Sequence, residues 1–197
     1  MDDDHWLVVG LGNPGPGYAG NRHNVGQMVV AELARRASLT FKNHRANASV
    51  AESPSGIAGP RLILANPNTF MNVSGAPVAA LLRFYKIVPQ RLIVLHDELD
   101  IPFDSLKLKQ GGGHGGHNGV RDIIVATGTP DFLRVRIGIG RPPGRQPAAD
   151  FVLRDFSSDE RSVLPNLLSD AADAVELIAS QGLIAAQLKV HTAVEKP

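Results

Sequence analysis

His23, Asp97 and three asparagines are the residues of this chain whose types and places could do chemistry. His23 stands in Arg22-His23-Asn24, just ahead of a helical pattern, where an imidazole can project into a cleft. A neutral imidazole is the natural general base near pH 7. It needs a carboxylate to fix its tautomer and stabilise the imidazolium, and Asp97, at the end of an apolar run, is placed to do so. Asn13, Asn72 and Asn118 each bring an uncharged amide, suited to gripping a peptide backbone or a developing oxyanion without perturbing the base. Together these groups could activate water. A plainer reading stands beside this one, in which His23 caps its helix and the asparagines form turns. Spacing alone leaves both open.

Hydrophobic periodicity gives the elements that must hold these residues. Trp6–Leu11, Arg61–Ala65, Leu92–His96 and Val135–Ile139 read as buried strands, and Asn47–Glu52 as a further strand beside Arg61–Ala65, joined across Ser53–Pro60. Asn24–Ala37 and Ser74–Lys86 carry apolar residues at helical spacing, the second with Ser74 as its N-cap. Asn118–Thr127 reads as a helix opened by the glycine-rich run Gly111–Gly119. Beyond Pro142 and Pro143, Leu164, Leu167, Leu168, Ala171, Val175 and Ile178 form a helical stripe. Pro165 should kink that helix or lie in its first turn, and Gly182 should end it.

Strands alternating with helices predict one α/β domain over 1–197, an α/β/α sandwich with a twisted, mostly parallel mixed sheet and a C-terminal helix. Its motif-bearing core spans about 6–141 and its C-terminal helical part about 146–191. In such sheets functional groups gather at the carboxyl ends of strands, and the polar clusters after three of the apolar runs fall there.

Composition narrows the chemistry. The 197 residues, 43% apolar and 20% charged, suit one soluble globular domain. The absence of cysteine excludes disulfides, Cys-ligated zinc and thiol nucleophiles. No apolar run is long enough to span a membrane, and Asp2, Asp3 and Asp4 stand where a signal peptide would be basic. A cytoplasmic protein is expected. The net charge of +1 hides an uneven distribution: residues 101–145 hold Lys107, Lys109, Arg121, Arg134, Arg136, Arg141 and Arg145 against three aspartates, a local +4. That third could meet a polyanion locally, although a solvated face with scattered charges would look the same.

Other chemistries fit poorly. Gly10-Leu11-Gly12-Asn13-Pro14-Gly15 spells a dinucleotide-binding pattern, but Pro14, Pro16 and Gly17 postpone the helix whose N-terminus should meet the pyrophosphate. His96-Asp97 and His114-x-x-His117 invite a metal, yet a glycine loop is a poor tetrahedral frame. No Gly-x-Ser-x-Gly elbow is present. No cofactor and no metal are expected.

Six ordered motifs give the chain a family likeness: Gly10–Gly15 with Tyr18, Arg22-His23-Asn24-Val25-Gly26, Phe70-Met71-Asn72-Val73-Ser74-Gly75, His96-Asp97-Glu98-Leu99-Asp100, the Gly111–Gly119 loop and Arg134–Gly140. On these residues the sequence resembles the bacterial-type peptidyl-tRNA hydrolases. The resemblance implies hydrolysis of the ester between a peptide and the 3′-terminal ribose of tRNA, recycling tRNA from stalled translation. It implies His23 as the base, held by Asp97, with Asn13, Asn72 and Asn118 positioning substrate or water; with no cysteine and no elbow serine, no covalent intermediate is expected. Tyr18, Met71 and His117 fall in its peptide cleft, and Lys109 and Arg136 where the family binds tRNA phosphate. The implied partner is peptidyl-tRNA; no membrane and no obligate protein partner are expected, and because no apolar face is left over a monomer is the default. One departure is visible, Asn21 where the family commonly has Thr, which bears on local loop geometry. His114 receives no role.

Two other classes share parts of this pattern. An RNA-binding module would need the basic strip but not His23 and Asp97. A peptidase or amidase would need the base but not Lys109 and Arg136.

Overall fold

The computed structural model describes residues 5–54 and 59–192; Asp2, Asp3, Asp4, part of the Ser53–Pro60 connection and residues 193–197 lie outside the described residues. The strands are β1 (His5–Gly10), β2 (Lys42–His44), β3 (Ala48–Glu52), β4 (Arg61–Pro67), β5 (Leu92–Glu98), β6 (Leu106–Gln110) and β7 (Leu133–Gly138). The helices are α1 (Val25–Arg36), α2 (Gly75–Tyr85), α3 (Asn118–Thr127), α4 (Ala148–Val152), α5 (Ser158–Gln181) and α6 (Leu183–Thr192).

Alternation along the central strands decides the layering. Trp6 and Val8 of β1 enter one apolar core, while Leu7 and Val9 enter the other. In β5, Ile93 and Leu95 face the first core, and Leu92 and Val94 the second. A strand buried on both faces reads as an unbroken apolar run, which is why these segments are conspicuous in the sequence. The first core is closed by Val25, Val29 and Leu33 of α1 and by Ala171, Val175 and Ile178 of α5. The second is closed by Val78 and Leu81 of α2 and by Val120 and Ile123 of α3. The result is the expected α/β/α sandwich.

The seven strands run in the order β2-β3-β4-β1-β5-β7-β6. β4, β1, β5 and β7 are mutually parallel, while β3 and β6 pair antiparallel to their inner neighbours. The carboxyl ends of β1, β4 and β5 therefore open on one side. Gly26 permits the close fit of α1 there, because a β-carbon on it would run into the Leu95 carbonyl and the Leu11 amide. Among the described residues, no helix is long and apolar enough to cross a membrane.

Three expectations need correction. β2 and β6 extend the sheet beyond the strands read from the sequence. Ser74 does not cap α2 with its side chain; its hydroxyl donates to the Met71 carbonyl at 2.8 Å, and the Gly75 amide is met instead by Asp122 Oδ2 at 2.7 Å. Pro165 does not lie in the first turn of a helix. α5 begins at Ser158 behind a capping box formed by Ser157 and Glu160, with Pro165 inside it. Gly182 does end α5, at φ 87°.

Candidate active site

His23 sits on a one-turn 3-10 helix, Arg22–Asn24, that leads into α1. Its Nδ1 lies 2.9 Å and 3.0 Å from the two carboxylate oxygens of Asp97, at the end of β5. A carboxylate only accepts, so Nδ1 carries the proton and Nε2 keeps its lone pair. His117 Nε2 donates to the same Asp97 Oδ1 at 2.9 Å, and its Nδ1 accepts from the Val120 amide at 3.3 Å, capping α3. Both nitrogens of His117 are thus engaged. Among the described residues, His23 Nε2 makes no hydrogen bond to protein, and its ring lines a cleft of about 680 Å³.

Asp97 is 3% exposed. Burial alone would raise its carboxyl, but the two imidazoles, His23 foremost, outweigh that and hold it well below the usual carboxylate range. The carboxylate that holds both imidazoles is therefore ionised at neutral pH.

Asn24 fixes Asn13. Its Oδ1 accepts from the Asn13 amide and its Nδ2 donates to the Asn13 carbonyl, both at 2.9 Å. Asn13 Oδ1 then accepts from the Met71 amide at 2.8 Å, which leaves its NH2 as the donor available to the cleft it lines. Asn72 and Asn118 line the same cleft with amides that bond no other protein group among the described residues. Tyr18 packs edge-on against Phe70, with ring centroids 6.1 Å apart. The structure thus brings together His23, Asp97, Asn13, Tyr18, Met71, Asn72, His117 and Asn118 around one cleft.

Lys109 and Arg136 stand outside that cleft. The β6–β7 register sets Lys107 opposite Arg136 and Lys109 opposite Arg134, so alternation places four cations on the face turned away from the apolar core. Counting charges overstated this face. Arg134 is buried, and its guanidinium holds the carbonyls of Gly111, Gly112 and Gly113 as a strut for the glycine loop. Gly112 serves that turn with a φ of 81°. Arg136 is tied to Glu98 at 3.0 Å, and Glu98 itself lines the cleft. Arg141, also on the cleft, pairs with Asp100. Lys109 has no carboxylate partner among the described residues. Partial burial, then Arg134 and Arg136, push its ammonium below the ordinary value, with Glu98 opposing.

A model of the family described as Peptidyl-tRNA hydrolase matches residues 7–197. The chain belongs to the peptidyl-tRNA hydrolase family. It is 66% identical over 188 residues to the peptidyl-tRNA hydrolase of Leifsonia xyli subsp. xyli, covering 95% of this chain and 97% of that one. It is 61% identical over 192 residues to that of Arthrobacter sp., covering 98% and 99%. The crystal structure of peptidyl-tRNA hydrolase from Acinetobacter baumannii superposes with a TM-score of 0.87 at 37% identity, covering 96% of each chain. This member of the peptidyl-tRNA hydrolase family is accordingly a hydrolase.

Several residues of its cleft escaped sequence reasoning. Leu99, Ala148, Ala149, Val152 and Leu153 give the cleft an apolar wall, supplied largely by the short helix α4. No periodic signal marks a five-residue helix in a proline-rich stretch. Asn21 donates to Asp155 Oδ1 at 2.7 Å, which gives the departure from Thr a local role in fixing the loop. The metal reading centred on His96 and His114 does not hold as drawn. His114 Nδ1 accepts from the Gly116 amide at 3.0 Å, and His96 is buried, its Nδ1 bonded to the Asp97 carbonyl at 2.8 Å. Ligand atoms of His23, Asp97 and His117 do lie within 4.8 Å of one another, with one nitrogen of each imidazole hydrogen-bonded to the Asp97 carboxylate.

His96 also yields a pH prediction. Burial, and then His117, push its pKa down to about 3, below the 6.5 of an exposed imidazole. Between those values the unfolded chain holds the proton and the folded one does not, so stability falls as pH drops from 6.5 toward 3 and levels off below. Urea unfolding of His96→Gln against pH should show a slope shallower by up to one proton, about 1.4 kcal/mol per pH unit. An unchanged slope would mean that His96 is already charged in the folded protein.

Proposed function

We propose that the protein hydrolyses the ester joining a peptide to the 3′-terminal ribose of tRNA, with His23 activating the attacking water. The observation that carries this reading is the asymmetry of the two imidazoles on Asp97. His117 has both nitrogens engaged, whereas His23 presents an unprotonated Nε2 to the cleft. Water donates its proton to Nε2 as its oxygen attacks the ester carbonyl. Amides such as Asn13 Nδ2 stabilise the tetrahedral oxyanion. Collapse then expels the ribose 3′-oxygen, which takes the proton back from the imidazolium, releasing tRNA and the peptide's carboxylic acid, which gives up its remaining proton to solvent. No covalent acyl-enzyme is formed.

The cleft suits a peptidyl rather than a free aminoacyl ester. Asn72 and Asn118 can pair with a peptide amide, and the wall of Leu99, Val152 and Leu153 can cover apolar side chains. A charged α-amino group would leave such partners mismatched, at a cost of about 1–3 kcal/mol. Release of labelled N-acetyl-amino acid from N-acetyl-aminoacyl-tRNA, run beside free aminoacyl-tRNA, tests the assignment. Rapid release from the blocked ester alone supports it, and equal rates on both overturn the selectivity.

Lys109 and Arg136 would meet tRNA phosphate on the β6–β7 face, with Lys109 the freer charge. Lys109→Ala should raise KM severalfold with kcat nearly unchanged, and should reduce the slope of log affinity against log salt by about one. An unaltered salt slope would remove Lys109 from the phosphate contact.

A further inference from the structure

The turn that carries His23 has three residues, and in a 3-10 helix successive side chains radiate about 120° apart. Each of the three therefore reaches a different part of the molecule. Asn24 goes to Asn13 and His23 to Asp97. Arg22 turns toward the segment that follows α4. Its guanidinium is 8% exposed and donates to the Asp155 carbonyl at 2.9 Å, the Arg154 carbonyl at 3.3 Å and Glu160 Oε2 at 2.6 Å. It also lies over the ring of Phe151, 4.2 Å from the centroid. The Arg22 amide adds a further bond to the Arg154 carbonyl at 3.0 Å.

We infer that Glu160, in the first turn of α5 and outside the cleft, is a positioning residue for His23 and acts through Arg22. This rests on the reading of His23 as the base. Glu160 supplies the carboxylate that meets a nearly buried guanidinium; the other acceptors of Arg22 are neutral carbonyls. A buried cation that loses its counter-charge moves toward water. Here that movement would pull on the residue directly before His23. The same unit joins the 3-10 turn to Phe151, beside the cleft residues Val152 and Leu153 of the apolar wall. Displacements on the order of 1 Å at a catalytic group can cost about a hundredfold in rate.

Glu160 has a second duty that the test must separate from the first. Its Oε2 also accepts from the Ser157 amide at 2.7 Å, completing the capping box of α5. Glutamine can serve at that box position, so Glu160→Gln keeps the cap and removes the charge facing Arg22. Ser157→Ala weakens the cap and leaves the Arg22 pair intact.

The experiment compares kcat and KM of the full-length variants on N-acetyl-aminoacyl-tRNA with the downfield proton resonance of the His23 Nδ1–H bonded to Asp97. Glu160→Gln should lower kcat by about tenfold or more, leave KM within about twofold, and shift or broaden that resonance. Ser157→Ala should retain kcat and the resonance while melting earlier. If Glu160→Gln does not fold, Arg22→Lys takes its place, since an ammonium keeps the charge but loses the fork that spans Asp155 and Glu160. Wild-type kcat and an unmoved His23 signal in the charge-removing or fork-removing variant overturn the proposal. Equal losses in Ser157→Ala overturn it as well, because capping would then explain them. Should the wild-type protein release nothing, the proposed function fails by itself, and the His23 resonance alone decides the positioning role.

Discussion

Replacing His23 by alanine is expected to lower kcat on N-acetyl-aminoacyl-tRNA by about two to four orders of magnitude, the usual contribution of a positioned general base. KM and tRNA affinity should stay near those of the wild type. The imidazole offers one free nitrogen to the cleft, while most of the polar and apolar groups that would contact a bound peptide belong to the other lining residues. The proposed phosphate contacts are further away, on β6 and β7. Removing His23 therefore removes a group used in the transition state and little used in the ground state. That pattern lowers kcat and kcat/KM together. Steady-state kinetics beside a tRNA-binding titration checks it. A variant that chiefly raised KM would show His23 to be a binding residue.

Asp97→Asn is expected to be nearly as severe, a loss of about three to four orders of magnitude by analogy with other oriented imidazoles. Asp97 accepts from two N–H groups, His23 Nδ1 and His117 Nε2. An asparagine has one oxygen and one NH2 to place against those two donors. If its oxygen keeps the Oδ1 place that both rings share, its NH2 takes the Oδ2 place 3.0 Å from His23 Nδ1, where an N–H is repelled and a lone pair is bonded, which favours the proton on Nε2. The shape of the site survives and the base is lost. In the proposed reaction the carboxylate would also stabilise the imidazolium, and an amide would do so far less. The charge needed for this is secure at neutral pH, because Asp97 is held below the usual carboxylate range. The decisive readout is the tautomer. Long-range 15N–1H spectra should place the proton on Nδ1 of His23 in the wild type and on Nε2 in Asp97→Asn. Activity near wild type with the proton on Nε2 would mean that another group takes the proton from water.

Much of this site is legible from the sequence, because its residues lie in short segments that follow strands. An apolar run that stops at a polar cluster marks the end of β1, β4 or β5, and there Asn13, Asn72 and Asp97 stand. The convergence of His23 and His117 on one oxygen of Asp97 could not be read, since it depends on the docking of two helix starts from separate parts of the chain. Arg134 misled for a physical reason. A charge count treats each arginine as surface, whereas this one is buried by three carbonyls that glycine residues turn toward it. β6 carried its own signal, the alternation Leu106-Lys107-Leu108-Lys109, which fits an edge strand with one face on the core. β2 carried none, being three polar residues held by pairing with β3. Pairings such as Arg22 with Glu160, 138 positions apart, leave no local trace at all.

Single-turnover release of N-acetyl-amino acid, at saturating protein and in H2O and D2O, puts the central claim to the most direct test. With His23 taking a proton from water in the rate-determining attack, the wild-type rate should be measurably lower in D2O, and the His23→Ala rate should collapse while the tRNA remains bound. A wild-type rate indifferent to D2O, or a His23→Ala protein that releases product as fast as the wild type, would contradict it.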